Sequence, residues 1–304
     1  MTEAPANDLV VGLDLGGSSI KWAVVEDRPG TRNVIATGLH DIKETRRPRD
    51  VVDELSEVFQ LISSRYGQSR RVGLGLPGMF DEGRGTPTLL PNFPASWVGY
   101  AVRDRLIAKI GQSVLLVNDA KAFSVAESNL GAGAGYHCVV TLVLGTGVGG
   151  GVVFDGVVWR GLGSAGELGH LTVSLDGPLC GCGARGCVEA YAGANAIVSN
   201  GGRPTVREVF EAASQGDPRA SRAVSQAIDA LGSGLASVFI VLAPDVFIIG
   251  GGVAGAGDQL VGPLVESIRS RVRVAAPGQI KVVEAELGRF SGAVGAALMA
   301  GGLR

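Results

Sequence analysis

Two apolar runs, Leu9–Leu15 and residues 20–25, flank the turn Gly16-Gly17-Ser18-Ser19, and this pattern predicts a β-hairpin. Residues 34–40 predict a third strand. From Pro48 to Tyr66 the apolar residues Val51, Val52, Leu55, Val58, Phe59 and Ile62 fall on one helical face, with the cluster Arg46-Arg47-Pro48-Arg49 as a solvated helix entry. Arg71–Leu76 predicts a strand halted at Pro77-Gly78. A Pro-rich loop through Asn92-Phe93-Pro94 leads to a short helix over 97–110, then a buried strand over 114–118 and a helix over 120–130.

A second hairpin is predicted over 139–155, around Gly145-Thr146-Gly147. At an offset of 129 residues, Leu144-Gly145 falls on Leu15-Gly16, and both segments run apolar, Gly/Ser/Thr turn, apolar, acid. This is an internal repeat: two similar sheets, each presenting one glycine turn. Beyond it, Thr205 and Glu208 form a capping-box signature for a helix over 205–215. Asp217-Pro218 opens a long helix through Val224, Ile228, Leu231, Leu235, Val238, Phe239 and Leu242, which Pro244 ends. A buried strand over 245–250 runs into Gly250-Gly251-Gly252. A helix over 258–272, a strand over 280–287 and a closing helix over 290–299 complete an α/β chain.

At 304 residues with 46% hydrophobic side chains, the chain is long enough for two domains with real cores. A net charge of −2 supplies no basic field for nucleic acid and no polybasic membrane anchor. Residues 130–154 and 235–252 are apolar, but glycines break the first and Pro244-Asp245 the second, so both read as buried elements and not as spans. The first nine residues have no basic and apolar leader, so a cytoplasmic protein is expected. That argues against disulfides among the four cysteines. Three of them, Cys180, Cys182 and Cys187, stand close to His170, and one imidazole with three thiolates is the ligand set of a structural zinc site. Such a site would fix the flanking acids Glu167 and Glu189, ready to hold a hydroxyl-rich ligand.

Other residues carry two readings each. Gly16, Gly17 and Ser18 expose backbone N–H groups that suit a phosphate, and Asp14, with Lys21 on the returning strand, stands where it could reach magnesium through water; the alternative is an ordinary hairpin. Gly145, Thr146 and Gly147 repeat the cradle, so two such turns could grip a polyphosphate. Asn118-Asp119 ends a strand, where α/β sheets collect ligands; Asp119 is a general base, a helix N-cap, or both. Gly250, Gly251 and Gly252 let a ring or ribose lie on the backbone, or are a tight turn only.

Taken in order, Asp14-Leu-Gly-Gly-Ser18, Asn118-Asp119, the glycine run 144–151, Ala165-Gly-Glu-Leu-Gly-His170, the run Cys180-x-Cys182-x4-Cys187-x-Glu189 and Gly250-Gly-Gly252 resemble the ROK family of sugar kinases and related repressors, in the actin/hexokinase-like superfamily. The resemblance covers nearly the whole chain. It implies two ribonuclease-H-like α/β lobes around a cleft: a small lobe of 1–118 plus 290–304, and a large lobe of 119–289 with a zinc-binding loop at 163–190. It implies ATP and Mg2+ as cofactors, structural Zn2+ on His170, Cys180, Cys182 and Cys187, and a dimer or tetramer. Asp119 would be the base for a hexose 6-hydroxyl. Gly78, Asn92, Asn118, Glu167, His170 and Glu189 would bind the sugar; Gly16–Ser18 and Gly145–Gly147 would hold phosphates, and Gly250–Gly252 would lie near adenosine.

Glucose is the first substrate the resemblance suggests; N-acetylmannosamine, N-acetylglucosamine or kanosamine is the alternative. One position departs from the family pattern: Lys121 stands where an Asn is usual, and it is expected to point to solvent. A family regulator would carry an N-terminal helix-turn-helix domain, for which the strand starting at Leu9 leaves no room. A zinc hydrolase would need an open metal position, which four protein ligands fill.

Overall fold

The computed structural model describes residues 8–28, 30–43, 46–69, 71–90 and 93–303. The chain divides into two compact units, Met1–Ala126 with Arg289–Arg304, and Glu127–Gly288.

In the first unit, β1 (Leu9–Leu15), β2 (Ser19–Arg28) and β3 (Thr31–Asp41) form an antiparallel meander. The helix α1 (Pro48–Tyr66) leads to β4 (Arg71–Leu76), and a small antiparallel pair follows, β5 (Met79–Asp81) with β6 (Thr86–Leu89). The helix expected over 97–110 is split. A 3-10 turn covers Ala95–Trp97, and α2 (Val102–Ile110) starts only after Gly99, whose positive φ of 75° breaks the helix. Then come β7 (Ser113–Asn118) and α3 (Asp119–Leu130). The main sheet runs β3-β2-β1-β4-β7, with β4 parallel to both β1 and β7. The predicted face of α1 is buried, and Val51, Leu55 and Phe59 join Leu13, Leu15, Leu74 and Leu76 in one core.

The second unit opens with β8 (Cys138–Leu144), β9 (Val148–Phe154) and β10 (Val157–Val158). Four helices follow: α4 (Glu189–Ala192), α5 (Ala194–Gly201), α6 (Val206–Ser214) and α7 (Pro218–Leu242). The N-caps lie where the residue types place them: Thr205 accepts the Glu208 N–H at 3.2 Å, and Asp217 accepts those of Arg219 and Ala220 at 3.0 and 2.8 Å. Among the described residues, α7 alone has the length and apolarity to cross a membrane; 50% of its most apolar window is buried inside the protein, as in a core helix. Next are β11 (Val246–Gly250), α8 (Asp258–Arg271) and β12 (Val282–Glu284). The sheet order β10-β9-β8-β11-β12, two antiparallel pairings followed by two parallel ones, repeats the plan of the first sheet, and β8 ends at Leu144 as β1 ends at Leu15.

The strand expected over 280–287 is only three residues long. The N–H groups of Glu286 and Leu287 leave the ladder and donate to the buried Glu127 carboxylate, both at 3.0 Å. The closing helix α9 (Ser291–Gly301) belongs to the first unit and lies on β1, β2 and β4. Its Ala and Gly residues have a packing reason. A Cβ at Gly12 or Gly73 would overlap the backbone of Ala293 or Ala296, so only glycine strands admit a helix this close. The division into compact units falls at Ala126/Glu127, inside α3, whose start packs against α9; a Cβ at Gly295 would strike the Ala122 carbonyl.

Candidate active site

The first glycine turn closes the β1–β2 hairpin. Gly16 N–H donates to the Ser19 carbonyl at 2.9 Å, and Ser18 is exposed at its tip. Asp14 and Lys21 are cross-strand partners in the register, and their side chains meet at 3.2 Å. Asp14 is buried, which pushes its carboxyl above the ordinary range, with the Lys21 ammonium opposing that shift. The start of α9 closes over it: a Cβ at Gly292 would lie 2.7 Å from Asp14 Oδ2.

Asn118 ends β7 and caps α3. Its Oδ1 accepts the Lys121 N–H at 3.0 Å, while its Nδ2 donates to the Gly78 carbonyl at 3.1 Å. The N-cap role open to Asp119 therefore falls to Asn118. Asp119 is the first helical residue, and its Oδ1 accepts the adjacent Ala120 N–H at 2.8 Å. Gly78, at φ 82°, turns its carbonyl toward Asn118, and Asn92 lies outside the described residues. Lys121 corrects the expectation of a solvent-facing cation: it is buried, 7% exposed. Residues 121–128 of α3 are buried without interruption, so no face of this stretch is turned to water.

The second turn, Gly145–Gly147, is closed by a Gly145 N–H to Gly147 carbonyl bond of 2.9 Å, and the Ala194 N–H at the start of α5 fixes the Gly145 carbonyl at 2.9 Å. Gly250–Gly252 stands at the same edge. Gly250 pairs with Val143, and Gly251, at φ 88°, packs on the Leu144 backbone. The two glycine motifs assigned to the nucleotide are thus neighbours in this unit.

His170, Cys180, Cys182 and Cys187 converge, their ligand atoms all within 4.8 Å of one another. Antiparallel bridges Thr172–Cys187 and Leu179–Arg185 hold the knuckle, with Val173 N–H to Gly186 and Cys180 N–H to Ala184 both at 2.8 Å. Zn–S bonds of about 2.3 Å at tetrahedral angles put sulfurs about 3.8 Å apart. Cys182 and Cys187 Sγ are 3.7 Å apart, and Cys180 Sγ is 3.8 Å from His170 Nδ1, so the residues fit such an ion. His170 presents Nδ1 to the cluster. Burial pushes the Cys180 thiol up to about 12, whereas the Ala184 N–H lowers that of the exposed Cys182. The fourth cysteine, Cys138, sits apart at the start of β8, and all four are free thiols.

Glu167 is exposed and precedes the 3-10 turn Leu168–His170, its carbonyl accepting the His170 N–H at 3.0 Å. Glu189 starts α4 and bridges two features: Oε2 accepts the Val148 N–H at 2.9 Å, and Oε1 faces the Cys180 thiol at 3.4 Å. That link to Val148 was not legible in the sequence; its only signal was Gly147, where a Cβ would overlap the Glu189 carboxylate.

Two mixed sheets of one plan, each ending its first hairpin in a glycine turn, with a capped Asn–Asp pair and a Cys3His knuckle, define an α/β protein built on a repeated unit. The ROK family model matches residues 10–302, and the chain belongs to the ROK family. Among curated relatives, the glucokinase of Thermotoga maritima is 33% identical over 95% of this chain and 96% of its own length; others are named N-acetyl-D-glucosamine kinase. The crystal structure of a ROK hexokinase from Thermus thermophilus superimposes with a TM-score of 0.86 at 37% identity, covering 96% of this chain and 97% of that one. A ROK glucokinase from Streptomyces griseus, in complex with glucose and AMPPNP, gives 0.78 at 31% identity, covering 96% and 99%.

Proposed function

We propose that the protein transfers the γ-phosphoryl group of ATP to the 6-hydroxyl of a hexose, glucose first, with Asp119 as the general base. The class of reaction rests on likeness along nearly the whole chain: by it, the chain is an ATP-dependent sugar kinase. The observation that carries the finer reading is the capping at the head of α3. Asn118 takes the N-cap bond from the Lys121 N–H, and Asp119, the first residue of α3, accepts the Ala120 N–H through Oδ1, which orients its carboxylate just past the end of β7. A carboxylate so placed takes the proton as the hydroxyl attacks; phosphoryl transfer otherwise needs positioning and charge neutralisation.

Asn118, Gly78, Glu167, His170 and Glu189 are the proposed sugar-hydroxyl partners. Gly16–Ser18 and Gly145–Gly147 are the proposed phosphate cradles, Gly250–Gly252 the adenosine side. Mg2+ is proposed near Asp14, whose ion pair with Lys21 favours contact through water, and Zn2+ in the Cys3His cluster as a structural ion. With Nδ1 on the metal, His170 Nε2–H remains a donor. A homodimer or homotetramer in the cytoplasm, acting on small molecules and not on nucleic acid or membranes, completes the proposal. An N-acetylated amino sugar is the second reading, favoured by N-acetyl-D-glucosamine kinases among the relatives.

The test is ADP release from ATP–Mg2+ against glucose, mannose, kanosamine, N-acetylglucosamine and N-acetylmannosamine, with Asp119→Ala alongside. Turnover should fall about 10²–10⁴-fold in the variant with sugar binding by calorimetry little changed. Turnover retained in Asp119→Ala would overturn the base assignment, and a preference for an N-acetylated sugar would replace glucose.

A further inference from the structure

We propose that the Cys3His centre is coupled to the turn Gly145–Gly147 through Val148, so that metal occupancy and nucleotide binding are linked. The inference rests on the reading of that turn as a phosphate cradle.

Val148 is the first residue of β9, immediately after the turn, and its peptide groups are gripped from two sides. Its N–H donates to Glu189 Oε2 at 2.9 Å, and Glu189 follows Cys187 by two residues. Its carbonyl is covered by Gly169, the residue before His170, where any Cβ would overlap it. Both gripping residues thus belong to the segments that carry the ligands. Those segments are also tied to each other, because the Val188 N–H donates to the Leu171 carbonyl at 3.0 Å and Thr172 bridges Cys187.

A metal in the cluster holds His170 and Cys187 at fixed separation, and with them Gly169 and Glu189. An emptied cluster lets the two segments separate, and Val148 loses an acceptor or its cover. The peptide after Gly147 then samples other orientations, and the donors of the turn are no longer preorganised for phosphate. Coupling of this kind is reciprocal: if metal tightens nucleotide, nucleotide slows metal loss by the same free energy. Glu189 is in this respect a positioning residue, separate from its proposed contact with sugar.

The experiment compares zinc-loaded protein with protein stripped by chelator, reading Val148 amide exchange and the affinity for AMPPNP–Mg2+. A charge-assisted bond to a backbone N–H is worth about tenfold or more in an equilibrium. Stripping should therefore speed Val148 exchange and weaken AMPPNP binding, each about tenfold or more, while saturating AMPPNP slows zinc release to a chromogenic chelator. Glu189→Ala should reproduce both losses with zinc still bound, and Glu189→Gln, which keeps an acceptor oxygen, should restore much of the protection. Unchanged exchange and affinity on stripping would overturn the coupling while leaving the kinase reading intact. If loaded wild-type protein bound no AMPPNP, the kinase reading would fail and the coupling to nucleotide with it. Exchange that responds to zinc while nucleotide affinity does not would overturn the coupling alone.

Discussion

Glu127 gives the sharpest test of the fold. Its side chain is buried, with 0% of the residue exposed, and it receives three backbone N–H groups: Glu286 and Leu287 at 3.0 Å each, and Ala132 at 3.3 Å. The first two come from the segment where β12 stops being a strand. Removing the carboxylate takes a charged acceptor from three part-buried donors, at about 1.5–3 kcal/mol for each well-made bond. Counting the two shorter bonds fully and the longer one partly, Glu127→Ala should destabilise the protein by about 4 kcal/mol. Glu127→Gln keeps the shape and one acceptor oxygen, but turns an NH2 toward a donor, and should lose about 2 kcal/mol. Against a typical total of about 5–15 kcal/mol, both are large. Guanidinium unfolding by circular dichroism measures the loss, and amide exchange at Glu286 and Leu287 locates it. A Glu127→Gln protein within about 0.5 kcal/mol of wild type, with slow exchange at both amides, would refute the reasoning.

Other outcomes follow from single contacts. Gly73→Ala should destabilise by several kcal/mol or prevent soluble expression, since the new Cβ meets backbone of α9 that cannot move aside; a wild-type melting temperature would contradict this. Cys182→Ser should bind zinc far more weakly and loosen the knuckle, read as metal content by atomic absorption and faster proteolysis around 170–190; full zinc content would count against its ligand role. Asp217 has its carboxyl lowered by the Ala220 N–H first, with Arg203 and the Arg219 N–H adding. Its stabilisation is therefore present above the unfolded value and is lost as pH falls through the folded one. The gap in stability between wild type and Asp217→Asn should narrow through the acid range below about pH 4, and a gap independent of pH would show that the cap does not titrate. Asp217→Ala should unfold at lower denaturant than wild type at neutral pH, because two N–H groups of the first turn of α7 lose their acceptor.

Much of the molecule is legible in the chain because it depends on near neighbours. The two hairpins follow from apolar runs around glycine turns. The caps at Thr205 and Asp217 bond residues two or three positions away, and Cys180, Cys182 and Cys187 stand close enough that a short loop brings them together. The likeness of the two sheets shows as a repeat for the same reason, since each hairpin is a local object. What tertiary structure alone decided involves partners far apart in the chain. Lys121 is buried because a whole stretch of α3 is enclosed by other elements, which no periodicity in so apolar a segment reveals. β12 stops early because a carboxylate 160 residues away takes the Leu287 N–H. Glu189 reaches across 41 residues to Val148, giving a side chain that reads as a sugar ligand a second bond to backbone. Local sequence sets which conformations and ligand sets are available; burial, and the pairing of a backbone donor with a remote acceptor, exist only once packing has excluded water from between them.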